Sequence, residues 1–263
     1  MSDLEQWITP DGETRYLGNR QSTLMLVSNF QLPDIPDSEL REFDFRNDSK
    51  YPVAVKDQDG RGACNGHAAA SSYEDACYIA GLPYVAISAW SIYAPLCNGW
   101  DIGSSIAEAL VLMRDHGAAE ESYVPYGTID PRKLSKAALE NRAEHRIEIG
   151  CRLNSFRELC IAAHLRMPFN FSVPVNSGFN NLDDEGVPRN TSGPHNHAVS
   201  GGFALKRSKR YGIILPTRNS WKTTWGWNGY FNTANKTVEG SGWDAYCVIA
   251  TIAGQRILPP KLS

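Results

Sequence analysis

The chain has 263 residues, with 26 Lys and Arg against 29 Asp and Glu, and a net charge of −3. This length suits one large domain or two lobes. Its 42% hydrophobic and 21% charged residues exclude a mainly disordered, collagen-like or coiled-coil protein. Without bulk positive charge to attract phosphates, we expect no nucleic-acid partner.

Residues 1–41 are predicted to form an N-terminal arm. Its Thr-Pro-Asp-Gly run at 9–12 is typical of a turn, and residues 23–27 could form a short strand. Residues 31–36 should be extended, because each proline keeps its preceding residue out of the α region.

Beyond the arm, the apolar pattern changes from helical to strand-like near the middle of the chain. We predict helices at 65–80, 89–97, 104–116, 131–142 and 154–166. We predict strands at 169–173, 197–205, 210–216, 229–232 and 246–252. Helices followed by strands indicate an α+β fold with two lobes.

The beginning of the chain lacks the basic and apolar regions of a secretory signal, and the apolar window at 84–96 is too short to cross a membrane. We therefore expect a cytoplasmic protein with no membrane partner, or one associated with a virion or other particle. No cysteines have CxxC spacing, so no zinc site, and no cofactor, is predicted.

Cys64 is the first candidate for chemistry, because it follows a glycine-containing run and directly precedes a predicted helix. The positive end of a helix dipole favours the thiolate, and glycine lets a substrate approach the backbone closely. A free cysteine is more often a small buried hydrophobic residue. The assignment therefore depends on the residues that could act with it.

Three further residues complete a set for nucleophilic catalysis. His197 could serve as the base for a thiolate, Asn219 could orient its imidazole without adding charge, and Gln58 could donate to a developing oxyanion. His67 is an alternative base, but on a helix it should point away from the opposite lobe. His195 and His197 could instead bind a metal, although no third ligand has suitable spacing.

These motifs resemble the papain-like cysteine peptidases, including their short bacterial-type members. The run from Val55 to Cys64 is similar to the family's nucleophile segment, and the His-Ala-Val run at His197 lies 133 residues further on. The Asn-Ser-Trp run at Asn219 and the Trp-Gly-Trp-Asn-Gly-Tyr-Phe run at 225–231 also resemble family segments. The resemblance covers residues 42–253 and its blocks occur in the family's order.

The resemblance implies a peptidase domain at 42–263, with a helical lobe at about 47–130 and an antiparallel β-barrel-like lobe at about 131–255. The active-site cleft would lie between them. The chain would be an endopeptidase that cleaves protein or peptide substrates through an acyl-enzyme, and Trp221 would cover the bond between His197 and Asn219. The implied substrate-binding residues are Gly62, Trp100, Gly103 and Trp221.

Three positions depart from the family pattern. Asn65 stands where Trp or Tyr follows the nucleophile, and Lys222 replaces the Gly after Asn-Ser-Trp. Arg61 replaces a cysteine whose family partner resembles Cys97, so the family's disulfide is expected to be absent.

Two further interpretations follow from these features. The first is a catalytically weak or inactive papain-fold component of a viral or multiprotein particle. The second is a different Cys–His amidohydrolase, such as one acting on cell walls, which the Asn-Ser-Trp run argues against. The arm could be a short propeptide that is removed, or it could stay docked on the body or in a larger assembly.

Overall fold

A computed structural model describes residues 4–24, 26, 31–238, 240–252 and 255–256, without the side chains of 252, 255 and 256. The fold is α+β and two-lobed, as predicted. The helices of the described part are α1 (Cys64–Ile79), α2 (Ala89–Cys97), α3 (Ile106–Asp115), α4 (Lys136–Arg142) and α5 (Phe156–His164). No helix in these residues combines the length and apolar character needed to cross a bilayer.

The strands form a two-stranded hairpin in the arm and a nine-stranded antiparallel sheet in the body. The hairpin strands are β1 (Glu5–Ile8) and β2 (Thr14–Leu17). The strands of the large sheet are β3 (Phe43–Asp44), β4 (His145–Arg152), β5 (Phe169–Val173), β6 (His197–Gly201), β7 (Ala204–Ser208), β8 (Gly212–Arg218), β9 (Tyr230–Thr233), β10 (Ala245–Ile252) and β11 (Gln255–Arg256). The order is β11-β10-β5-β6-β8-β7-β3, with β4 beside β10 and β9 beside β8.

Helix α1 lies in the interior, between α2 and α3 on one side and the sheet on the other. Its small residues permit this, because a Cβ on Gly66 would lie 2.8 Å from the Ala89 carbonyl oxygen. The core around α1 also contains residues of β4, β6 and β10. The N-terminus of α1 is thereby placed against the start of β6.

Three differences from the predicted elements have local causes. The strand predicted at 197–205 is two strands, because Gly202 turns the chain at φ +96° and a side chain there would meet the Met167 carbonyl oxygen. Strand β4 and both arm strands were missed, although the turn predicted at 9–12 is present and closes the β1–β2 hairpin. The strand predicted at 23–27 includes positions outside the described residues.

A buried ion pair joins α1 to the β lobe. Arg218 Nη1 lies 2.8 Å from Asp75 Oδ2, both side chains are almost fully buried, and Tyr51 contacts both. We expect Arg218→Met to lower the free energy of unfolding by about 3–5 kcal/mol, because it leaves the Asp75 carboxylate buried with the Tyr51 hydroxyl but without its positive partner. Urea denaturation measures this loss.

The matched control is Arg114→Met, which breaks the half-exposed pair of Arg114 with Asp115. Exposed pairs contribute less than about 1 kcal/mol. Equal losses in the two variants would contradict the importance assigned to the buried pair.

Candidate active site

The Cys64 thiol sits at the first residue of α1, at the end of a tight loop. The loop spans 57–63 and turns sharply at Asp59 and Gly60, whose φ angles are +50° and +63°. The first N–H groups of a helix have no partner within it, so the Cys64 N–H remains available as a donor. The N–H groups at the start of the helix and the positive end of the helix dipole both favour a negative charge on the sulfur.

His197 and Asn219 come from neighbouring strands and meet beside this helix end. His197 begins β6 and Asn219 follows β8, and these strands pair. His197 Nε2 lies 2.7 Å from Asn219 Oδ1, while the buried Nδ1 has no hydrogen-bond partner among the described residues. Ala198, the next residue of β6, lies in the same buried cluster as Cys64, and its N–H is close enough to the sulfur to lower the pKa of the thiol. The thiol and the imidazole therefore belong to one buried site.

Gln58 is held with its amide N–H directed into the same site. Its Oε1 accepts hydrogen bonds from Ser220 Oγ (2.7 Å) and Trp221 Nε1 (3.1 Å). Those two donors assign the other amide atom as Nε2, which donates to the carbonyls of Arg61 and of Tyr16 in the arm, the latter at 3.1 Å. The role of Ser220 was not predicted from the sequence.

Trp221 lies behind the His197–Asn219 pair. Its ring centroid is 4.8 Å from that of His197, it packs against Phe179 and Trp225, and it is completely buried. A hydrogen bond kept from water by such a ring is electrostatically stronger than an exposed one. The assignment of Trp221 to substrate binding stays a prediction.

The arm passes through the site. The Gly18 N–H lies close enough to the Cys64 sulfur to lower the pKa of the thiol, and the Gly18 carbonyl accepts a hydrogen bond from Ser104 N at 2.8 Å. On the other lobe, Asn19 N donates to the Asn196 carbonyl at 3.1 Å. Residues 16–19 thus contact both lobes and cover the thiol.

Two of the glycines predicted to bind substrate, Gly62 and Gly103, contact this arm segment. A Cβ on Gly103 would lie 2.3 Å from the Gly18 carbonyl oxygen, and a Cβ on Gly18 would lie 2.0 Å from the Gly62 carbonyl oxygen. Trp100 is 73% exposed, outside this contact. The close approach of backbones explains why glycine occupies these positions.

Burial disfavours the charged form of each member of the pair. It raises the pKa of Cys64 to about 11, against the hydrogen bonds from nearby N–H groups. It also lowers the pKa of His197 to about 4, against the bond to Asn219. At pH 7 the covered site therefore holds a neutral thiol and a neutral imidazole, rather than the thiolate expected from the helix dipole alone.

The positions that depart from the family pattern have defined contacts. Asn65 Nδ2 donates to the Ser104 carbonyl at 2.8 Å, which links α1 to the cleft wall. Lys222 keeps a left-handed backbone at φ +61°, and its Nζ lies 2.8 Å from Glu13 Oε1 in the arm. Cys97 is reduced, as are the other five cysteines, and its Sγ is 3.2 Å from the Ile129 carbonyl oxygen.

The fold and this side-chain set define the class of protein as a thiol peptidase. The sequence model described as papain family cysteine protease matches residues 40–253. The chain therefore belongs to the papain family of cysteine proteases, whose substrates are proteins or peptides. No curated protein sequence matches it significantly.

Solved structures show the same fold. Xylellain, a cysteine protease from Xylella fastidiosa, aligns with a TM-score of 0.71 and 17% identity over 88% of this chain and 94% of its own. The bromelain protease from Ananas comosus, in complex with the E64 inhibitor, aligns with a TM-score of 0.58 and 21% identity over 83% of this chain and 100% of its own. Procathepsin B S9 from Trypanosoma congolense aligns with a TM-score of 0.62 and 17% identity over 86% of this chain and 85% of its own.

Proposed function

We propose that the chain is a cysteine endopeptidase in which Cys64 is the nucleophile, His197 the base and Asn219 its orienting partner. The observation that carries this proposal is the 2.7 Å bond between His197 and Asn219, formed where an adjacent backbone N–H reaches the Cys64 sulfur. Asn219 Oδ1 accepts a hydrogen bond from the Nε2–H of His197, which leaves Nδ1 free to exchange a proton with the thiol.

The reaction proceeds through an acyl-enzyme. The Cys64 sulfur attacks the peptide carbonyl as its proton passes to His197, and the oxyanion accepts hydrogen bonds from Gln58 Nε2 and the Cys64 N–H. The C–N bond then breaks, and the departing amine takes the proton from His197. Water, deprotonated by His197, attacks the thioester, and the carboxylic acid product leaves as the thiol is restored.

The arm acts as a propeptide-like inhibitory segment in this proposal. The Tyr16 carbonyl already accepts a hydrogen bond from the Gln58 amide that would bind an oxyanion, and the Gly18 backbone lies beside the Cys64 sulfur. A substrate carbonyl cannot occupy this space at the same time. Residues 1–41 must therefore move or be removed before turnover.

A cluster of charges beside the cleft holds the arm in place. The buried Arg15 pairs with Glu13 and with Asp57, the latter at 2.7 Å, and Lys222 pairs with Glu13 and Asp57. Glu13 and Arg15 belong to the arm, whereas Asp57 and Lys222 belong to the body. The Lys222 departure from the family pattern is therefore best explained as an arm contact.

Two histidines close in sequence test the assignment of the base. We expect His197→Ala to lower kcat/KM for a fluorogenic peptide by about 10³-fold or more, because it removes the proton carrier of both chemical steps. His195 Nδ1 instead contacts the Ser172 carbonyl at 2.8 Å, so His195→Ala should retain most of the activity. Equal losses, with both variants folded, would contradict the role given to His197.

The alternative of an inactive structural component was motivated by Asn65 and Lys222. Both have contacts that leave Cys64, His197, Asn219 and Gln58 in place. Sustained peptide turnover by the purified chain would exclude this alternative. Absence of turnover after the arm has been displaced would support it.

A further inference from the structure

His67 lies one helical turn beyond Cys64 and faces the loop that leads to it. Its ring is buried, with Nδ1 2.9 Å from the Ala63 carbonyl oxygen and Nε2 3.0 Å from the Asp57 carbonyl oxygen. One imidazole therefore touches both ends of the 57–63 loop. Neither ring nitrogen is directed at the Cys64 sulfur, so these contacts do not favour His67 as the base.

Each of these carbonyls belongs to the residue just before a proposed oxyanion donor: Ala63 precedes Cys64, and Asp57 precedes Gln58. The Ala63 carbonyl shares a planar peptide group with the Cys64 N–H, and the two point in opposite directions. Fixing the carbonyl therefore fixes the direction of the N–H. A hydrogen bond accepted by the carbonyl also polarises the N–H, because bonded groups strengthen one another.

The Asp57 carbonyl acts less directly, on the backbone from which the Gln58 side chain extends. Its peptide group carries the Gln58 N–H, which donates to the Ser220 carbonyl at 3.0 Å. The Asp57 oxygen also accepts from the Tyr126 hydroxyl at 3.2 Å. The Tyr126 hydroxyl supports the Asp57 end of the loop, whereas the Ala63 end depends on the His67 ring and the helix bond from His67 N.

We propose that His67 is a positioning residue for the oxyanion site: its Nδ1–H donates to the Ala63 carbonyl and so orients the Cys64 N–H. The proposal rests on the proposed function, in which that N–H stabilises the oxyanion. A neutral imidazole carries one ring proton. The contact that matters most for rate is the one to Ala63.

Three substitutions in the full chain separate these contacts. His67→Phe keeps a ring and removes both polar contacts; we expect kcat for a peptide to fall about tenfold, the worth of roughly one hydrogen bond, with KM little changed. His67→Asn keeps an N–H at the position of Nδ1 and should restore most of kcat. His67→Gln places its N–H at the position of Nε2 and should not.

Alkylation of Cys64 by iodoacetamide distinguishes positioning from general damage, because it develops no oxyanion. We expect His67→Phe to change the alkylation rate much less than kcat, because the N–H groups of Ala198, Gly18 and Asn65 stabilise the thiolate more than that of Cys64 does. Parallel losses of hydrolysis and alkylation, or unchanged kcat in His67→Phe, would overturn the proposal.

A second measurement does not depend on turnover. In the ¹⁵N-labelled full chain, the Cys64 amide nitrogen should shift upfield in His67→Phe and return toward its wild-type position in His67→Asn. An unmoved resonance in both variants would refute the Ala63 contact. If no wild-type hydrolysis is found, the proposed function fails, and this spectrum still decides the role of His67.

Discussion

Cys64→Ala abolishes peptide hydrolysis, with an expected fall of about 10⁴-fold or more in kcat, because no other group in the site can form the acyl-enzyme. His197, Asn219 and Gln58 stay in place in this variant, but none of them can attack the peptide carbonyl in place of the thiol. The measurement is the initial rate on a fluorogenic peptide, with mass spectrometry to detect the acyl-enzyme in the wild type.

Cys77→Ala is the matched control, because Cys77 is a buried thiol in the last turns of the same helix. Burial raises its pKa to about 11, as it does for Cys64, so burial alone does not distinguish the two thiols. We expect Cys77→Ala to retain activity close to that of the wild type. Substantial hydrolysis by folded Cys64→Ala would refute the proposed nucleophile.

Gly18→Ala activates the enzyme by displacing the arm. The new Cβ would lie 2.0 Å from the Gly62 carbonyl oxygen, a backbone atom that cannot rotate away. Overpacking of this kind costs about 1–3 kcal/mol. The population of the open cleft, and hence the initial rate, should therefore rise by roughly 5- to 150-fold, since 1.4 kcal/mol corresponds to tenfold.

The same substitution should change the reactivity of the thiol. With the arm in place, burial raises the pKa of Cys64 to about 11, and the thiolate is scarce at pH 7. Opening the cleft admits water, so the pKa should fall and alkylation at pH 7 should become faster. Mass spectrometry of the alkylated peptide measures this rate at Cys64 separately from the other cysteines.

Gly12→Asn provides the control within the arm. Gly12 has φ +83°, a conformation that asparagine tolerates, and a side chain there meets no atom within 4 Å. We expect its rate and its alkylation to match those of the wild type. If Gly18→Ala behaves like Gly12→Asn, the arm does not limit access to the thiol.

The domain boundaries and the substrate-binding role of Trp100 remain predictions. The fold class was predictable because α-helical and strand periodicities separate along this chain and the motif blocks occur in the papain order. Strand β4 was missed, because local residue preferences are weak where pairing with β10 supplies the stabilisation. The break at Gly202 depends on a close approach of the Met167 carbonyl, which is distant in sequence.

By itself, the sequence predicted the family and the chemistry that we propose: a thiol just before a helix, a histidine, an amide to orient that histidine and a second amide for the oxyanion. These proposed roles rest on residue type and order. Only the tertiary structure decided the state of the site. Contacts between residues far apart in the chain place Tyr16 and Gly18 over the site and pair Lys222 with Glu13. Folding of the 57–63 loop places the His67 ring beside the Asp57 and Ala63 carbonyls. Burial in the folded chain, which no local pattern encodes, raises the pKa of the thiol, whereas the helix dipole alone would favour its ionisation.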